Sequence, residues 1–311
     1  MQSIIALGFF DGVHLGHGAL LRRTASAAAA RGLRPMALTF DRSPGKDGRL
    51  LTAVTDRVRL IRSLYGIAEV EVLPFTDDFM HIPWQDFLAL LQDRFDAAHL
   101  VCGWDYRFGW RGAGDAGALQ SWCADRCLGC DVIPPLVIDG VTVSATFLKG
   151  LIASGETEAA IRWYGHPHTL SGTVQPGRHL GHTLGFPTAN LLPAPELVLP
   201  KDGVYAVQAA VTSAGEDGQA PSAPASEAQA GARCFFGVCN VGTRPTVGGH
   251  RRTVETWLSG FEGELYGRTL TVDFYRLLRP EQRFASLEEL RAQVFRDREA
   301  ALAYFAQTPL R

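Results

Sequence analysis

A glycine-rich loop between an apolar strand and a helix limits the first half of this chain to a few folds. The apolar run Ser3–Leu7 predicts a buried strand, and Ala19–Arg31 predicts a helix that ends at Gly32. Residues 8–17, which lie between them, read Gly-Phe-Phe-Asp-Gly-Val-His-Leu-Gly-His. Exposed N–H groups and the positive end of the helix dipole favour anions there, so the segment predicts a site for a phosphate chain.

Two histidines at the start of the helix are candidate catalytic residues of this loop. His14 and His17 are three residues apart, so both imidazoles are expected to point the same way. Imidazoles so placed can donate hydrogen bonds to a phosphoryl group whose charge grows in a transition state. The segment lacks the Gly-Lys-Ser/Thr of a Walker-type loop, which excludes that class. A glycine turn with two surface histidines is the alternative interpretation.

Strand-like and helix-like segments alternate up to about residue 165, which predicts a parallel sheet covered by helices on both faces. Further strands are predicted at 36–40, 70–73, 100–102 and 132–133. Further helices are predicted at 55–65, 83–95, 144–153 and 156–164.

The pattern then changes to short strand-like runs separated by glycine and proline. These runs are at 170–174, 204–211, 235–241, 253–258 and 270–277, and they predict an antiparallel barrel or sandwich. A last helix is predicted after Ser286, which forms a capping box with Glu289. Residues 213–232, rich in Ala, Ser, Gly, Pro and Glu, are expected to be a mobile insertion without chemistry.

The sequence Pro187-Thr188-Ala189-Asn190 is a candidate cation site. In an extended segment Thr188 and Asn190 face the same side, because side chains alternate along a strand. A hydroxyl and an amide oxygen suit Mg²⁺, which prefers oxygen ligands and accompanies nucleotide phosphates. Alone, this composition is equally typical of an ordinary turn.

Length and charge restrict the remaining classes. A chain of 311 residues predicts two domains, and a net charge of −2 without charge runs argues against nucleic-acid or anionic-membrane binding. No apolar stretch reaches the ~20 residues that cross a bilayer, and no signal peptide is recognisable, so a cytoplasmic protein is expected. Cys123, Cys127 and Cys130 lack a recognisable zinc spacing and are expected to be free thiols.

The loop at 8–17 resembles the ATP-binding loop of the nucleotidyltransferase superfamily, in the form found in bacterial bifunctional riboflavin kinase/FAD synthetases. The resemblance continues in four segments, at Thr39–Asp41, Leu73–Thr76, Gly103–Gly109 and Val143–Lys149. It implies that His14 and His17 stabilise adenylyl transfer from ATP to FMN. It also implies ATP-binding and flavin-binding residues. The first set is Gly8, Phe10, Gly16, Ser144, Thr146 and Lys149, and the second contains Asp105 and Phe108.

The second half is similar to the riboflavin kinase family over roughly residues 170–306. The matching segments, in order and spacing, are Gly172–Val174, Leu184–Asn190, Gly203–Tyr205, Asn240–Thr246, Val254–Thr256, Leu265–Gly267 and Leu278–Glu281. The resemblance implies that Glu255 is the base for the ribityl hydroxyl and that Thr188 and Asn190 hold Mg²⁺. The resemblance also implies that Gly177 and Arg178 bind ATP. Arg279 is expected near the flavin, with a surface ion pair as the alternative.

The predicted protein is therefore a two-domain enzyme. Residues 1–165 would form a Rossmann-like FMN adenylyltransferase domain, and residues 166–311 a small antiparallel β-barrel riboflavin kinase domain with a C-terminal helix. Its ligands would be riboflavin, FMN, FAD and ATP, with Mg²⁺ for both reactions. A homo-oligomer is compatible with the sequence, which does not give the oligomeric state.

Departures from the family pattern keep alternatives open. Ala145 and Lys149 stand in a segment that usually reads Ser-Ser-Thr-x-x-Arg, and Arg42-Ser43 replaces the usual Pro-His. A lysine lacks the planar fork with which arginine binds phosphate at two points. One alternative is a riboflavin kinase whose first domain is weak, inactive or specific for another acceptor. A non-catalytic flavin-binding protein is the alternative from a different class.

Overall fold

The computed structural model describes residues 1–43, 48–176, 188–212, 233–246 and 249–308. Contacts divide the chain into two compact units. Met1–Leu50 and Val54–Ala145 form most of the first, and residues after Ala145 form most of the second. The second unit includes the helix Thr157–Tyr164, which packs on a strand of the second sheet.

The first unit alternates strands and helices, as the sequence predicts. Its elements are β1 (Ser3–Leu7), α1 (Leu15–Arg31), β2 (Arg34–Phe40), α2 (Val54–Tyr65), β3 (Glu69–Leu73), α3 (Asp77–Met80), α4 (Trp84–Phe95), β4 (Ala97–Gly103), β5 (Arg107–Phe108), β6 (Gly114–Asp115), α5 (Ala116–Asp125), β7 (Gly129–Ile133), β8 (Val137–Ile138) and β9 (Val141–Thr142). Single turns of 3₁₀ helix lie at Asp11–Val13 and Trp110–Gly112.

Five of these strands form a parallel sheet in the order β3-β2-β1-β4-β7. The central strand β1 is buried on both faces, since Ile5 and Leu7 pack in one apolar cluster and Ile4 and Ala6 in another. Helices cover both faces, which confirms the Rossmann-like prediction. The loop that follows β1 therefore lies at the carboxyl end of the central strands, where ligands bind in open sheets of this kind.

The second unit is built around a six-stranded antiparallel sheet. Its elements are α6 (Ala145–Ser154), α7 (Thr157–Tyr164), β10 (His168–Thr173), β11 (Thr188–Leu191), β12 (Gly203–Thr212), β13 (Arg233–Thr246), β14 (Gly249–Leu258), β15 (Thr269–Arg279) and α8 (Leu287–Gln307). The strand order is β10-β15-β12-β13-β14-β11. Gln175, just after β10, makes an antiparallel bridge to Asn190 in β11. The two edge strands therefore meet, which confirms the predicted antiparallel barrel.

The last helix, α8, packs against one face of this sheet. Its cap is the predicted one, because the Ser286 hydroxyl accepts from Glu289 N at 3.2 Å. The Glu289 carboxylate accepts from Ala285 N, one residue earlier than in the standard capping box. Phe305 stacks on Phe236 with ring centroids 4.4 Å apart. This packing buries aromatic surface on the face of β13 and β14 that also carries the candidate kinase residues.

Sequence reasoning missed α5 and placed the start of α1 four residues late. Asp115-Ala116-Gly117 reads as a turn in the sequence, yet Asp115 caps α5 by accepting from Ala118 N at 2.9 Å. The first turn of α1 was missed because it contains Gly16 and Gly18, and glycine has a low helix propensity. Tertiary packing overrides that propensity in both cases.

A buried neutral histidine should make the stability of the second unit depend on pH. Burial, with a smaller effect from His166, lowers the pKa of His168 to about 3. The unfolded chain takes up the proton near pH 6.5, so the stabilisation is complete above that pH and is lost as pH falls towards 3. We expect H168F to reduce the slope of unfolding free energy against pH, between about 5 and 6, by up to about 1.4 kcal/mol per pH unit.

Urea unfolding at several pH values measures this slope. H81Q is the matched control, because His81 is exposed and lies in the first unit. An H168F protein with the wild-type slope would show that another group causes the acid sensitivity.

Candidate active sites

The loop at 8–17 brings its two histidines into direct contact. His14 caps α1, because its Nδ1 accepts from His17 N at 3.3 Å. The two imidazole rings are stacked, with centroids 3.6 Å apart and planes 15° apart. The three-residue spacing therefore places both rings together at the positive end of a 17-residue helix.

Two glycines of this loop lie where a side chain would make close contacts. A Cβ on Gly8 would lie 2.8 Å from the Phe10 ring, and a Cβ on Gly16 would lie 3.3 Å from the Val143 carbonyl oxygen. Phe10 itself is fully buried with φ of 55°, and its ring contacts the His17 ring edge-on at 5.4 Å. The structure thus gives Phe10 a packing role beneath the loop. It also brings the Val143 segment to the start of α1.

The surroundings of His17 disfavour its protonated form. Burial, followed by the nearby His14 and Arg57, holds the pKa of His17 well below its ordinary value of 6.5. Its Nδ1 is buried and has no hydrogen-bond partner in the described ranges of the chain. At neutral pH His17 is therefore an uncharged imidazole that can donate one hydrogen bond to a developing negative charge.

Arg57 is a residue of this region that sequence reasoning missed. It lies on α2, which follows β2 in the chain. Arg57 is fully buried, and Leu60 and Ile61 on the same helix are also buried. The signal was available in the sequence, because an arginine that is three and four residues from buried apolar positions stands on the buried side of a helix.

The remaining predicted residues of the first site are spread over several elements. Ser144 immediately precedes α6, and Thr146 and Lys149 lie within it, in a helix that contacts assign to the second unit. Asp105 is exposed after β4, whereas Phe108 is buried and stacks on Tyr106 with centroids 5.4 Å apart. Their roles towards ATP and flavin stay predictions.

The second candidate site lies on three adjacent strands of the barrel. Glu255 of β14 is directly opposite Asn190 of β11 and directly opposite Asn240 of β13. Directly opposed residues share a face, with Cβ atoms roughly 4.5–5.5 Å apart. Thr188 lies two residues before Asn190 and shares this face. The structure therefore brings together the hydroxyl, the amide and the carboxylate that the sequence separates by 67 residues (188 to 255).

Polar contacts at this site leave one acceptor unused. Among the described residues, the buried Oδ1 of Asn190 has no hydrogen-bond partner, while its Nδ2 donates to the Thr188 carbonyl at 3.3 Å. Thr253 donates to Glu255 Oε1, and Asn240 Nδ2 donates to Glu281 Oε1, each at 3.4 Å. A buried acceptor without a donor costs about 1–3 kcal/mol. The unused oxygen therefore indicates a place for a cation or donor that a ligand brings.

Arg279, predicted near the flavin, is held by an acid of α8. Its Nη2 lies 2.8 Å from Asp297 Oδ2, its Nε also donates to that carboxylate, and Asp297 is almost fully buried. The Arg279 guanidinium is therefore engaged in an ion pair with Asp297. Its flavin-binding role stays a prediction. Gly177, Arg178 and the 213–232 insertion lie outside the described residues.

Family models match the two halves separately. One described as FAD synthetase matches residues 1–147, and one described as riboflavin kinase matches residues 164–305. A curated relative, the bifunctional riboflavin kinase/FMN adenylyltransferase of Listeria monocytogenes, is 31% identical over 315 residues, with 99% of this chain and 94% of the relative covered. The chain belongs to the bifunctional riboflavin kinase/FMN adenylyltransferase family. Its Escherichia coli K12 member is 35% identical over 314 residues, with 98% and 93% covered.

A solved structure supports the fold of this family member. It is described as a macrolide-efflux protein from Streptococcus pneumoniae, and it matches with a TM-score of 0.79 at 26% identity, covering 97% of this chain and 94% of that one. Within the part of the chain that the structure describes, every helix is too short or too polar to cross a membrane.

Proposed function

We propose that this protein converts riboflavin to FMN in its second unit and FMN to FAD in its first, using ATP in both reactions. Membership of the bifunctional family supports the pair of activities. The observation that carries the kinase assignment is the direct cross-strand pairing of Glu255 with Asn190. The stacked His14 and His17 at the start of α1 support the adenylyltransferase assignment.

In the kinase reaction Glu255 acts as the general base. Its carboxylate accepts the proton of the ribityl 5′-hydroxyl as that oxygen bonds to the γ-phosphorus of ATP and the bond to ADP breaks. Thr253 orients the carboxylate through the hydrogen bond to Oε1. The products are FMN and ADP. Phosphoryl transfer depends mainly on alignment and charge stabilisation, so a single positioned carboxylate is sufficient for the proton.

The residues around Glu255 fit Mg²⁺. Asn190 Oδ1 is a buried oxygen without a partner, and Thr188 adds a hydroxyl on the same face. Oxygen donors of this kind suit Mg²⁺, which retains water and phosphate ligands as well. When bound, the ion would neutralise charge on the ATP phosphates. Thr188 and Asn190 would hold it, while Glu255 remains available for the proton.

In the second reaction a phosphate oxygen of FMN attacks the α-phosphorus of ATP, giving FAD and releasing pyrophosphate. His14 and His17 donate hydrogen bonds to the phosphoryl oxygens as their charge grows. The backbone N–H groups at the start of α1 add to this stabilisation. Gly8 and Gly16 keep the loop open to the phosphates, and Ser144, near the end of the first unit, would bind the same phosphates. The phosphate-binding roles of Thr146 and Lys149 stay predictions from the sequence.

Two assays with purified protein test the assignment. Riboflavin, ATP and Mg²⁺ should give FMN and ADP, and FMN, ATP and Mg²⁺ should give FAD and pyrophosphate. FMN formation without FAD formation would favour the kinase-only alternative that Ala145 and Lys149 raise. Flavin binding without any ATP turnover would favour a non-catalytic flavin protein. The domain limits 1–165 and 166–311, the cytoplasmic location and the oligomeric state stay predictions.

Replacing Asn190 should expose its role in cation binding. We expect N190A to raise the Mg²⁺ concentration that half-saturates FMN formation by roughly tenfold or more, because an oxygen ligand is lost. N190D retains an oxygen at that position and is expected to stay closer to wild type. Mg²⁺ titrations at fixed ATP, with FAD formation as an internal reference, measure the effect. An unchanged Mg²⁺ requirement in N190A would remove Asn190 from the cation site.

A further inference from the structure

Arg57 is a charged, fully buried side chain that uses only one of its three guanidinium nitrogens in hydrogen bonds to the described residues. Its Nη1 donates to the Thr39 hydroxyl at 2.9 Å and to the Phe40 carbonyl at 2.8 Å. The guanidinium stacks 4.1 Å from the centre of the Phe9 ring. Within the part of the chain that the structure describes, its Nε and Nη2 have no hydrogen-bond partner, although the residue is fully buried.

The unused edge belongs to the same region as the phosphate loop. The charge of Arg57 contributes to lowering the pKa of His17, and Asp11 of the loop acts on Arg57 in turn. Phe9, which lies under the guanidinium, is itself a loop residue. The Nδ1 of His17 is a second buried polar atom without a partner. Unsatisfied donors and a positive charge are thus gathered beside the start of α1.

Leaving these donors unpaired is unfavourable. Each buried polar group without a partner costs about 1–3 kcal/mol, and more when the group is charged. Burial lowers the pKa of Arg57 to about 10, so the guanidinium is still charged at neutral pH. Within the described residues, Asp11 acts on this charge without a hydrogen bond to Nε or Nη2, so both nitrogens can still donate to the oxygens of an anion.

Another arginine of this chain shows what the same edge binds. Arg23 uses its Nε and Nη2 to hold both oxygens of Asp131, at 2.8 and 3.1 Å. Nε–H and Nη2–H are parallel donors, and a phosphate offers the same pair of oxygens as a carboxylate. Lys149 cannot provide such a fork, because an ammonium is a point charge.

We infer that Arg57 is a phosphate-binding residue of the adenylyl-transfer site, where Nε–H and Nη2–H donate to two oxygens of a nucleotide phosphate beside His17. The inference rests on the proposed conversion of FMN to FAD. It adds to that site a residue of α2. The Nη1 of Arg57 binds the end of β2, and its Nε and Nη2 would bind the ligand.

The first test observes Arg57 in the wild-type protein. Inorganic pyrophosphate is titrated into the full chain, and arginine Nε–H resonances are followed by ¹H–¹⁵N NMR. The Arg57 resonance is identified by its absence from the spectrum of R57K. A saturable shift of this resonance supports the inference. An unmoved resonance at millimolar pyrophosphate, in protein that makes FAD, overturns it.

The second test separates ligand binding from a structural role. We expect R57M to lower kcat/KM for ATP in FAD formation roughly 10–10²-fold and to raise the KM for pyrophosphate in the reverse reaction, with FMN formation within about twofold of wild type. R57K should give kinetic constants between those of R57M and wild type. The matched control is R59M, because Arg59 lies on the same helix, 42% exposed, and pairs with Asp56.

The outcomes are distinguishable. If R57M only lowers the unfolding temperature and leaves both kinetic constants unchanged, Arg57 is structural and the inference is wrong. If the wild-type protein makes no FAD but pyrophosphate still shifts the Arg57 resonance, the second proposed reaction fails and the anion site stands. Should R57M not fold, the wild-type titration and R57K decide the question.

Discussion

Replacing Glu255 by glutamine is expected to slow FMN formation by roughly 10²-fold or more and to leave FAD formation from added FMN unchanged. Glutamine keeps the size of the side chain and can still accept from Thr253, but it cannot accept the ribityl proton. The cross-strand pairing with Asn190 and Asn240 would be preserved, because the backbone of β14 is unaffected. The loss should therefore appear mainly in kcat.

Steady-state rates with riboflavin, and separately with FMN, measure this effect in one preparation. E299Q is the control, since Glu299 on α8 has a side chain that is 71% exposed. E255D should be intermediate, because it keeps the carboxylate but draws it back by one methylene. Equal slowing of both reactions by E255Q in folded protein would contradict the assignment of two separate sites.

Replacing His17 by alanine should do the reverse, lowering FAD formation roughly 10²–10³-fold and sparing FMN formation. The physical reason is the loss of a buried donor at the start of α1, where the transition-state charge develops. His17 is uncharged at neutral pH because its pKa lies well below 6.5. The adenylyl-transfer rate in wild type should accordingly show no loss attributable to His17 deprotonation between about pH 6.5 and 8.

Pyrophosphate release from FMN and ATP is the direct measurement for this variant. The ring of His17 stacks on His14 and contacts Phe10, so H17A also removes packing. H17N retains a donor with less lost volume and should recover part of the rate if hydrogen bonding is the cause. Wild-type FAD formation in folded H17A protein would remove His17 from the mechanism.

Local pattern was enough to predict much of this protein. The alternation of strands and helices up to residue 165, followed by short strands, gave both fold classes, because hydrophobic periodicity reflects which face each element buries. Ser286 with Glu289 located the start of α8. The motifs that carried the family resemblance also agreed with the family matched over each half.

Other features depend on partners distant in sequence. The barrel closes through Gln175 and Asn190, and the kinase site exists only because β11 and β13 both pair with β14. The ring of Phe10 is buried beneath the loop, and the predicted role of this residue in ATP binding stays a prediction. Arg279 was predicted near flavin, and the structure gives it a buried ion-pair partner 18 residues away in α8.

The amino-acid sequence alone predicted most of the elements and the candidate site residues, since helix caps, glycine turns and strand alternation act within a few residues. Strand register decided the rest. It set Glu255 opposite Asn190, and a shift of one residue would have turned the carboxylate to the other face of the sheet. The burial of Arg57 with two unpaired donors likewise arises only when α2 packs beside the loop after β1, because desolvation is a property of the assembled core.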